Sequence, residues 1–237
     1  MTDITKKYTV DTEFRFKQFD INQISSTKDI KIMIIGDAGT GKTYLIKRLI
    51  EFLGDRFGYY SIISPTDSTK QNYKDIIPEI CIKCAYNDSI INKIILRKQI
   101  FEEENQFRSI VGKNKYDIEM SSCLIMDDCV ESKNIWMQNK DFIDILDSNN
   151  DITLILSSQY PINFSQEIRN KFDYVFILSE QSINNKHKIF RDYCMMLTDQ
   201  KTFDVIFSDI TKDYNCIVVN NKLKTDDITK KIFYWKA

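Results

Sequence analysis

The chain has 237 residues, 43% of them hydrophobic and 28% charged, which suits one α/β domain with a core of ordinary size. A net charge of −1 and a pI near 6.0 exclude a monomer that grips nucleic acid by bulk positive charge; any such contact must be local, transient or pooled by oligomerisation. No run of about 18 uncharged apolar residues is present, and residues 1–7 are polar, so neither a membrane span nor a secretory signal is expected.

Taken in chain order, Phe14, Phe16 and Phe19 suggest an N-terminal strand or its edge, within an extension over 1–29 that precedes a domain over 30–237. Residues 31–35 are a continuous apolar run, the mark of a strand covered on both faces of a parallel sheet. A glycine-rich loop and a helix over 42–52 follow, then a strand over 59–64 stopped by Pro65. Residues 66–73 read as a loop with a short helix, and 80–84 as a short strand. A long helix is predicted over 88–111, with Ile91, Ile94 and Ile95 on one face and Glu102 to Glu104 one turn beyond Arg97 and Lys98. Strands are expected at 123–126, 152–157 and 174–178, with helices at 134–146, 166–171, 182–197 and 201–208. In the helix over 182–197, Ile183, Phe190, Cys194 and Leu197 share a face, and strands at 214–219 and 232–235 close the chain. Strands alternating with helices predict an α/β three-layer sandwich with a mostly parallel sheet. Ligands in such sheets bind at the carboxyl ends of strands.

Residues Gly36, Asp37, Ala38, Gly39, Thr40, Gly41, Lys42 and Thr43 match G-x-x-x-x-G-K-[ST] in full, with the apolar strand before and the helix, from Tyr44 onward, after. Three of the six glycines fall in this one loop. Glycines let backbone N–H groups turn inward as an anion nest, and the helix N-terminus adds its dipole. Lys42 is expected to reach the β- and γ-phosphates of ATP, and Thr43 to hold Mg²⁺, so 36–44 is the expected nucleotide cradle. The strand ending in Asp127 and Asp128 supplies the acidic partner: Asp127 for Mg²⁺, Asp128 to orient and deprotonate the attacking water. After the next strand, Gln159 is the candidate to sense the γ-phosphate or place the water. Arg169 is the candidate arginine finger reaching a neighbouring subunit.

Other chemistries are less well served. No N-K-x-D follows, since Asn221 and Lys222 continue as Leu-Lys, and no arginine-rich lid is present. Cys81 and Cys84 form C-x-x-C, but Cys123 and Cys129 are too far apart to complete a zinc site and His187 stands alone. The six cysteines are expected as small apolar thiols in a reducing compartment.

A family resemblance runs through these residues. The phosphate loop is followed by Pro65 to Tyr73, Ile77 and Pro78, and Arg97 to Gln99 on the long helix. Then come Leu124 to Cys129, Ser158 to Tyr160, Ile168 to Asn170 before Asp173 to Phe176, and Phe233 to Ala237. Over Ile30 to Ala237 the chain resembles the genome-packaging ATPases of large nucleocytoplasmic DNA viruses, poxviruses and virophages, within the FtsK–HerA group of P-loop ATPases. The Asp-Asp pair, Gln159 and the final aromatic-Lys-Ala carry the specificity. The resemblance implies a RecA-like sheet in which an added strand separates the phosphate-loop strand from the Asp127 strand. It also implies a homo-oligomeric ring, hexamer or pentamer, that drives double-stranded DNA into a preformed capsid in the host cytoplasm, with a capsid vertex or portal protein as partner. Lys113 and Lys115 are candidate pore-loop residues. Two other classes share the core: a nucleotide-dependent assembly switch that binds capsid protein, and a helicase or DNA-repair ATPase.

Overall fold

The computed structural model describes residues 16–24, 29–65, 71–116, 120–129, 137, 139–147 and 151–236. Among these, the strands are β1 (Lys17–Gln18), β2 (Lys31–Ile35), β3 (Tyr59–Ile63), β4 (Ile82–Lys83), β5 (Ser122–Met126), β6 (Ile152–Ser158), β7 (Tyr174–Ile177), β8 (Asn215–Asn220) and β9 (Ile232–Lys236). The helices are α1 (Lys42–Leu53), α2 (Asp88–Ile110), α3 (Lys140–Asp147), α4 (Gln166–Arg169), α5 (Ile183–Ile189), α6 (Gln200–Ile210) and α7 (Ile228–Lys231).

All nine strands share one sheet in the order β1-β9-β8-β7-β2-β6-β5-β3-β4. The six from β7 to β4 are mutually parallel. Strand β8 runs against both β7 and β9, and β1 lies parallel to β9. The added strand is β6: it pairs with β2 on one side and β5 on the other.

The strands read as apolar runs because both faces are covered. Every residue of β2, β5, β6 and β7 is buried. Met33, Ile35, Leu124, Leu154 and Val175 face α3 and α6, through Phe142, Ile145, Phe203 and Ile206. Ile32, Ile34, Ile125, Ile155 and Phe176 face α1, through Leu45, Ile46 and Leu49. The period-2 alternation of each strand thus sorts one run between two helical layers, and the three-layer sandwich follows.

Phe16 and Phe19 are buried on either side of β1. The Phe19 ring lies 5.4 Å from Tyr174, 5.8 Å from Phe176 and 5.7 Å from Phe233, so residues 16–24 of the expected extension help close the sheet edge. Phe14, the loop residues 66–70 and the first residues of the helix expected over 134–146 lie outside the described residues.

Two elements differ from expectation. The strand expected over 80–84 is only Ile82–Lys83, because a 3-10 turn over Glu79–Cys81 follows Pro78. The helix expected over 182–197 changes at Ile189 into a π-turn, Phe190–Cys194. The wider turn shifts the phase of the side chains. Ile189, Tyr193, Cys194 and Leu197 are buried, whereas Ile183 is 70% exposed and off the expected face.

Helix α2 begins at the carboxyl edge of the sheet after β4. Arg97 donates to Gly58 O just before β3, and Lys98 to Asp151 just before β6, so the amino edge is reached by these residues. The remaining dozen residues, at 1.5 Å each, carry the helix about 18 Å further. Ile91 and Ile94 are buried at its start, while Ile100, Phe107 and Ile110 are exposed near its end.

Phe176 has no exposed surface and its ring is 5.6 Å from Trp235 as well as beside Phe19. Phe176→Ala is expected to cost about 3–5 kcal/mol, a large share of the stability of such a domain, measured as the loss of unfolding free energy in urea.

Candidate functional site

Strands β2 and β6 end level, with Ile35 beside Ser158, and β5 ends two residues earlier, with Met126 beside Leu156, so Asp127 and Asp128 continue toward the same edge. The loop that leaves β2 is strapped to both neighbours. Gly36 N–H donates to Ser158 O at 3.2 Å, and Asp37 N–H donates to Ser179 O at 3.0 Å. Only glycine fits at 36, where a Cβ would lie 2.8 Å from both Leu178 Cβ and Thr40 Oγ1. At Gly41 the backbone turns left-handed, with φ of 100°, and α1 starts there without any side-chain cap. The first N–H groups of the helix therefore have no intrahelical partner and no capping oxygen, which is the arrangement that accepts a phosphate.

Lys42 is buried and curls back along its own loop. Its Nζ donates to Gly36 O at 3.0 Å and Asp37 O at 3.2 Å. It also stands 3.6 Å from Asp128 Oδ1.

Asp127, at the end of β5, is fully buried. Three hydroxyls hold its carboxylate. Ser157 Oγ donates to Oδ1 at 2.5 Å, while Tyr73 Oη and Thr43 Oγ1 donate to Oδ2 at 2.7 and 3.1 Å. Burial pushes its carboxyl above the ordinary carboxylate range, and the Ser157, Tyr73 and Thr43 hydroxyls pull against that shift. Burial also raises the Tyr73 phenol, so that group remains a proton donor toward the carboxylate.

Asp128 turns away from the strand in a left-handed conformation, φ 53°. Its N–H donates to Ser157 Oγ at 2.9 Å, so one serine fixes both acids. Gln159 Nε2 donates to Asp128 Oδ2 at 3.1 Å. Among the described residues Asp128 Oδ1 is buried and accepts no hydrogen bond, with the Lys42 ammonium 3.6 Å away.

Lys42, Thr43, Asp127, Asp128 and Gln159 are thus brought together. Oxygen donors from Thr43 and Asp127, with an uncapped helix start beside them, fit Mg²⁺ bound to a polyphosphate. Arg169 lies elsewhere. It ends α4, just before β7 begins at the amino edge, so the length of the sheet, about 15 Å, separates it from the glycine-rich loop. There its guanidinium donates to Phe164 O at 2.6 Å and lies 3.7 Å from Asp192. Lys113 and Lys115, exposed beyond the end of α2, are also on the amino side.

Two residues of the cluster carry no readable signal. Tyr73 lies 54 positions before its partner, in a segment whose path the local sequence leaves open. Ser157 sits in an apolar strand where a small hydroxyl looks like any other buried serine.

No protein-family model matches the chain. It is 28% identical over 227 residues to "Uncharacterized protein L437" of Acanthamoeba polyphaga mimivirus, covering 95% of this chain and 78% of that one. It is 28% identical over 240 residues to "Uncharacterized protein 075L" of Invertebrate iridescent virus 6, covering 95% and 86%. Among solved structures, the genome packaging NTPase B204 of Sulfolobus turreted icosahedral virus 2, in complex with AMPPCP, superposes with a TM-score of 0.55 at 16% identity, over 89% of this chain and 98% of B204. The chain therefore has the P-loop NTPase fold of a viral genome-packaging NTPase, and its relatives by sequence are proteins of DNA viruses.

Proposed function

We propose that this chain is an ATP-hydrolysing motor that moves double-stranded viral DNA into a preformed capsid, acting as a ring of identical subunits. The observation that carries the reading is the acidic pair at the end of β5. Asp127 is locked by hydroxyls beside Thr43, and Asp128 keeps one oxygen bare of hydrogen bonds beside Lys42. The fold shared with B204, which binds AMPPCP, supports it. In this reading residues 30–237 form the ATPase domain, with residues 16–24 of the preceding extension completing its sheet.

The triphosphate of ATP lies in the cradle over Gly36, Asp37, Ala38, Gly39, Thr40, Gly41, Lys42, Thr43 and Tyr44. Lys42 exchanges the carbonyls of Gly36 and Asp37 for phosphate oxygens. Thr43 and Asp127 would hold Mg²⁺, which when bound would supply positive charge against that of the polyphosphate. Asp128 Oδ1 takes a proton from the attacking water, while Gln159 fixes the other oxygen and reports on the γ-phosphate. Tyr73 and Ser157 position Asp127 without touching substrate.

Because Arg169 stands at the edge opposite its own cradle, it acts in a neighbour's site, stabilising the charge of the transition state across a subunit boundary. Phe164 O and Asp192 hold its guanidinium ready. Lys113 and Lys115 meet DNA phosphates, and a ring multiplies their few charges. A capsid vertex or portal protein receives the DNA, and the work is done in the host cytoplasm at sites of virus assembly. Among the described residues no helix is long and apolar enough to cross a membrane.

The steady-state ATPase rate, measured with and without duplex DNA at concentrations that permit rings, tests this reading. Strong stimulation by duplex is expected, with Lys42→Ala losing about 10²-fold or more in kcat. Robust hydrolysis indifferent to DNA and to DNA ends would remove the motor reading. Asp128→Asn should lower kcat by about 10²–10⁴-fold while ATP binding, measured by calorimetry, is retained. Tyr73→Phe should raise the Mg²⁺ concentration for half-maximal activity by about tenfold, with kcat recovering at saturating Mg²⁺.

A further inference from the structure

Next to the phosphate loop lies a second hollow that the acidic cluster does not use. Its volume is about 690 Å³, within the range of small-molecule sites, and its lining includes Gly41, Tyr44, Leu178, Asp213, Tyr214 and Lys236. We infer that this hollow is a purine-base cleft in which the Tyr214 ring stacks on the base, so that Tyr214 makes the site selective for purine nucleotides over bare polyphosphate. The inference rests on the nucleotide-binding reading above and deepens it.

The topology brings these residues to the loop. Strand β8 runs antiparallel to β7, so its first residues, not its last, stand at the carboxyl edge. Strand β9 runs back beside it, pairing Asn215 with Lys236, and so ends at the same edge. Lys236, near the end of the run Phe233 to Ala237 singled out in the sequence, therefore lies at this hollow. Lys42, Thr43, Asp127 and Asp128 do not line it, so it extends from Gly41 away from the acidic pair. A polyphosphate seated at the start of α1 has its terminal group toward Asp128 and its nucleoside toward this hollow.

The backbone at the hollow is strained in a directed way. Asp213 and Tyr214 are consecutive non-glycine residues in left-handed conformation, with φ of 54° and 61°. Bulky L residues rarely adopt it, and such outliers concentrate at ligand sites. Their surroundings hold them there. Upstream, Thr211 closes α6 by donating from both N–H and Oγ1 to Phe207 O, at 3.0 and 2.7 Å. Downstream, β8 is fixed between β7 and β9. The result is that the Tyr214 ring reaches Gly41: a Cβ on Gly41 would lie 3.3 Å from Tyr214 Cδ1. Tyr214 is nonetheless 68% exposed, and Tyr44, which also lines the hollow, is 56% exposed.

Two open aromatic rings, apolar walls, and one carboxylate and one ammonium at the rim suit a flat ligand with apolar faces and a polar edge. A purine has that chemistry, and base stacking on an aromatic ring scales with the area of the base. Asp213 can accept from an exocyclic amino group, and Lys236 can donate to a ring nitrogen or carbonyl.

The test is calorimetric titration of ATP, CTP and inorganic tripolyphosphate, each with Mg²⁺, into the full chain and into Tyr214→Ala and Tyr214→Phe. Wild type should bind ATP more tightly than CTP. Tyr214→Ala should lose about tenfold or more in ATP affinity while tripolyphosphate binding is unchanged, which also shows that the variant is folded. Tyr214→Phe, which keeps the ring, should bind ATP as wild type does. Equal losses for ATP and tripolyphosphate, no loss in Tyr214→Ala, or equal affinity of wild type for ATP and CTP would each overturn the cleft assignment and leave the phosphate-site reading standing. Wild-type protein that binds neither ATP nor tripolyphosphate overturns both.

Discussion

Strand β6 runs between β2 and β5, in parallel register with both, and the candidate site depends on that one arrangement. It sets Ile35 beside Ser158 and Leu156 beside Met126, so the two acids that follow Met126 run up toward the height at which β2 and β6 end. The loop after β2 and the acids after β5 are then one strand apart, and the end of β6 fills the gap. Ser157 is the residue that spans it, donating to Asp127 and accepting from the Asp128 N–H. A slip of one residue in β6 would turn Ser157 to the opposite face, away from both acids. The burial of the strands on both faces makes such a slip costly, since every residue of β6 is enclosed.

A carboxylate as buried as Asp127 is expensive to keep charged, and the structure offsets the cost with hydroxyls rather than with a neighbouring cation. Lysine or arginine in that place would neutralise the acid and compete with a metal. Neutral donors stabilise the charge and leave it available. Lys42, the nearby cation, is turned instead toward backbone carbonyls and Asp128, which it can leave without stranding Asp127. The two acids are adjacent in sequence but differ in environment: one is enclosed and saturated with donors, the other is turned by a left-handed backbone so that one oxygen is spare.

The two edges of the sheet carry different chemistry. The carboxyl edge gathers the loop, the acids, Gln159 and the tyrosines of the adjoining hollow. The amino edge carries Arg169 and the overhanging end of α2, where the Arg108 guanidinium lies 4.0 Å from the Tyr116 ring and its Nε donates to Asn114 O, folding the turn that bears Lys113. Parallel strands separate these edges by construction, because every strand end of one kind faces the same way. Arg169 stands at the amino edge, a sheet length away from the loop at the carboxyl edge of the same chain.

The phosphate loop, the acidic pair and Gln159 were legible in the sequence, because each is a short pattern attached to an apolar strand and its spacing is local. The parallel sheet was legible for the same reason: runs such as 32–35 are apolar at every position only when both faces are covered. Tyr73, Ser157 and Tyr214 were not legible. Their roles depend on side chains meeting across 54, 30 and 173 positions of chain, and no local pattern encodes a hydroxyl or ring whose partner is set by strand order. The phase of the helix after Ile183 was likewise hidden, since a single π-turn re-aims every later side chain. The sequence by itself determined where the glycine-rich loop and the two adjacent acids fall, because those patterns are local. Only the tertiary structure decided which hydroxyls hold the acid and which aromatic ring adjoins the loop, because those contacts exist only once β6 and β8 have taken their places in the sheet.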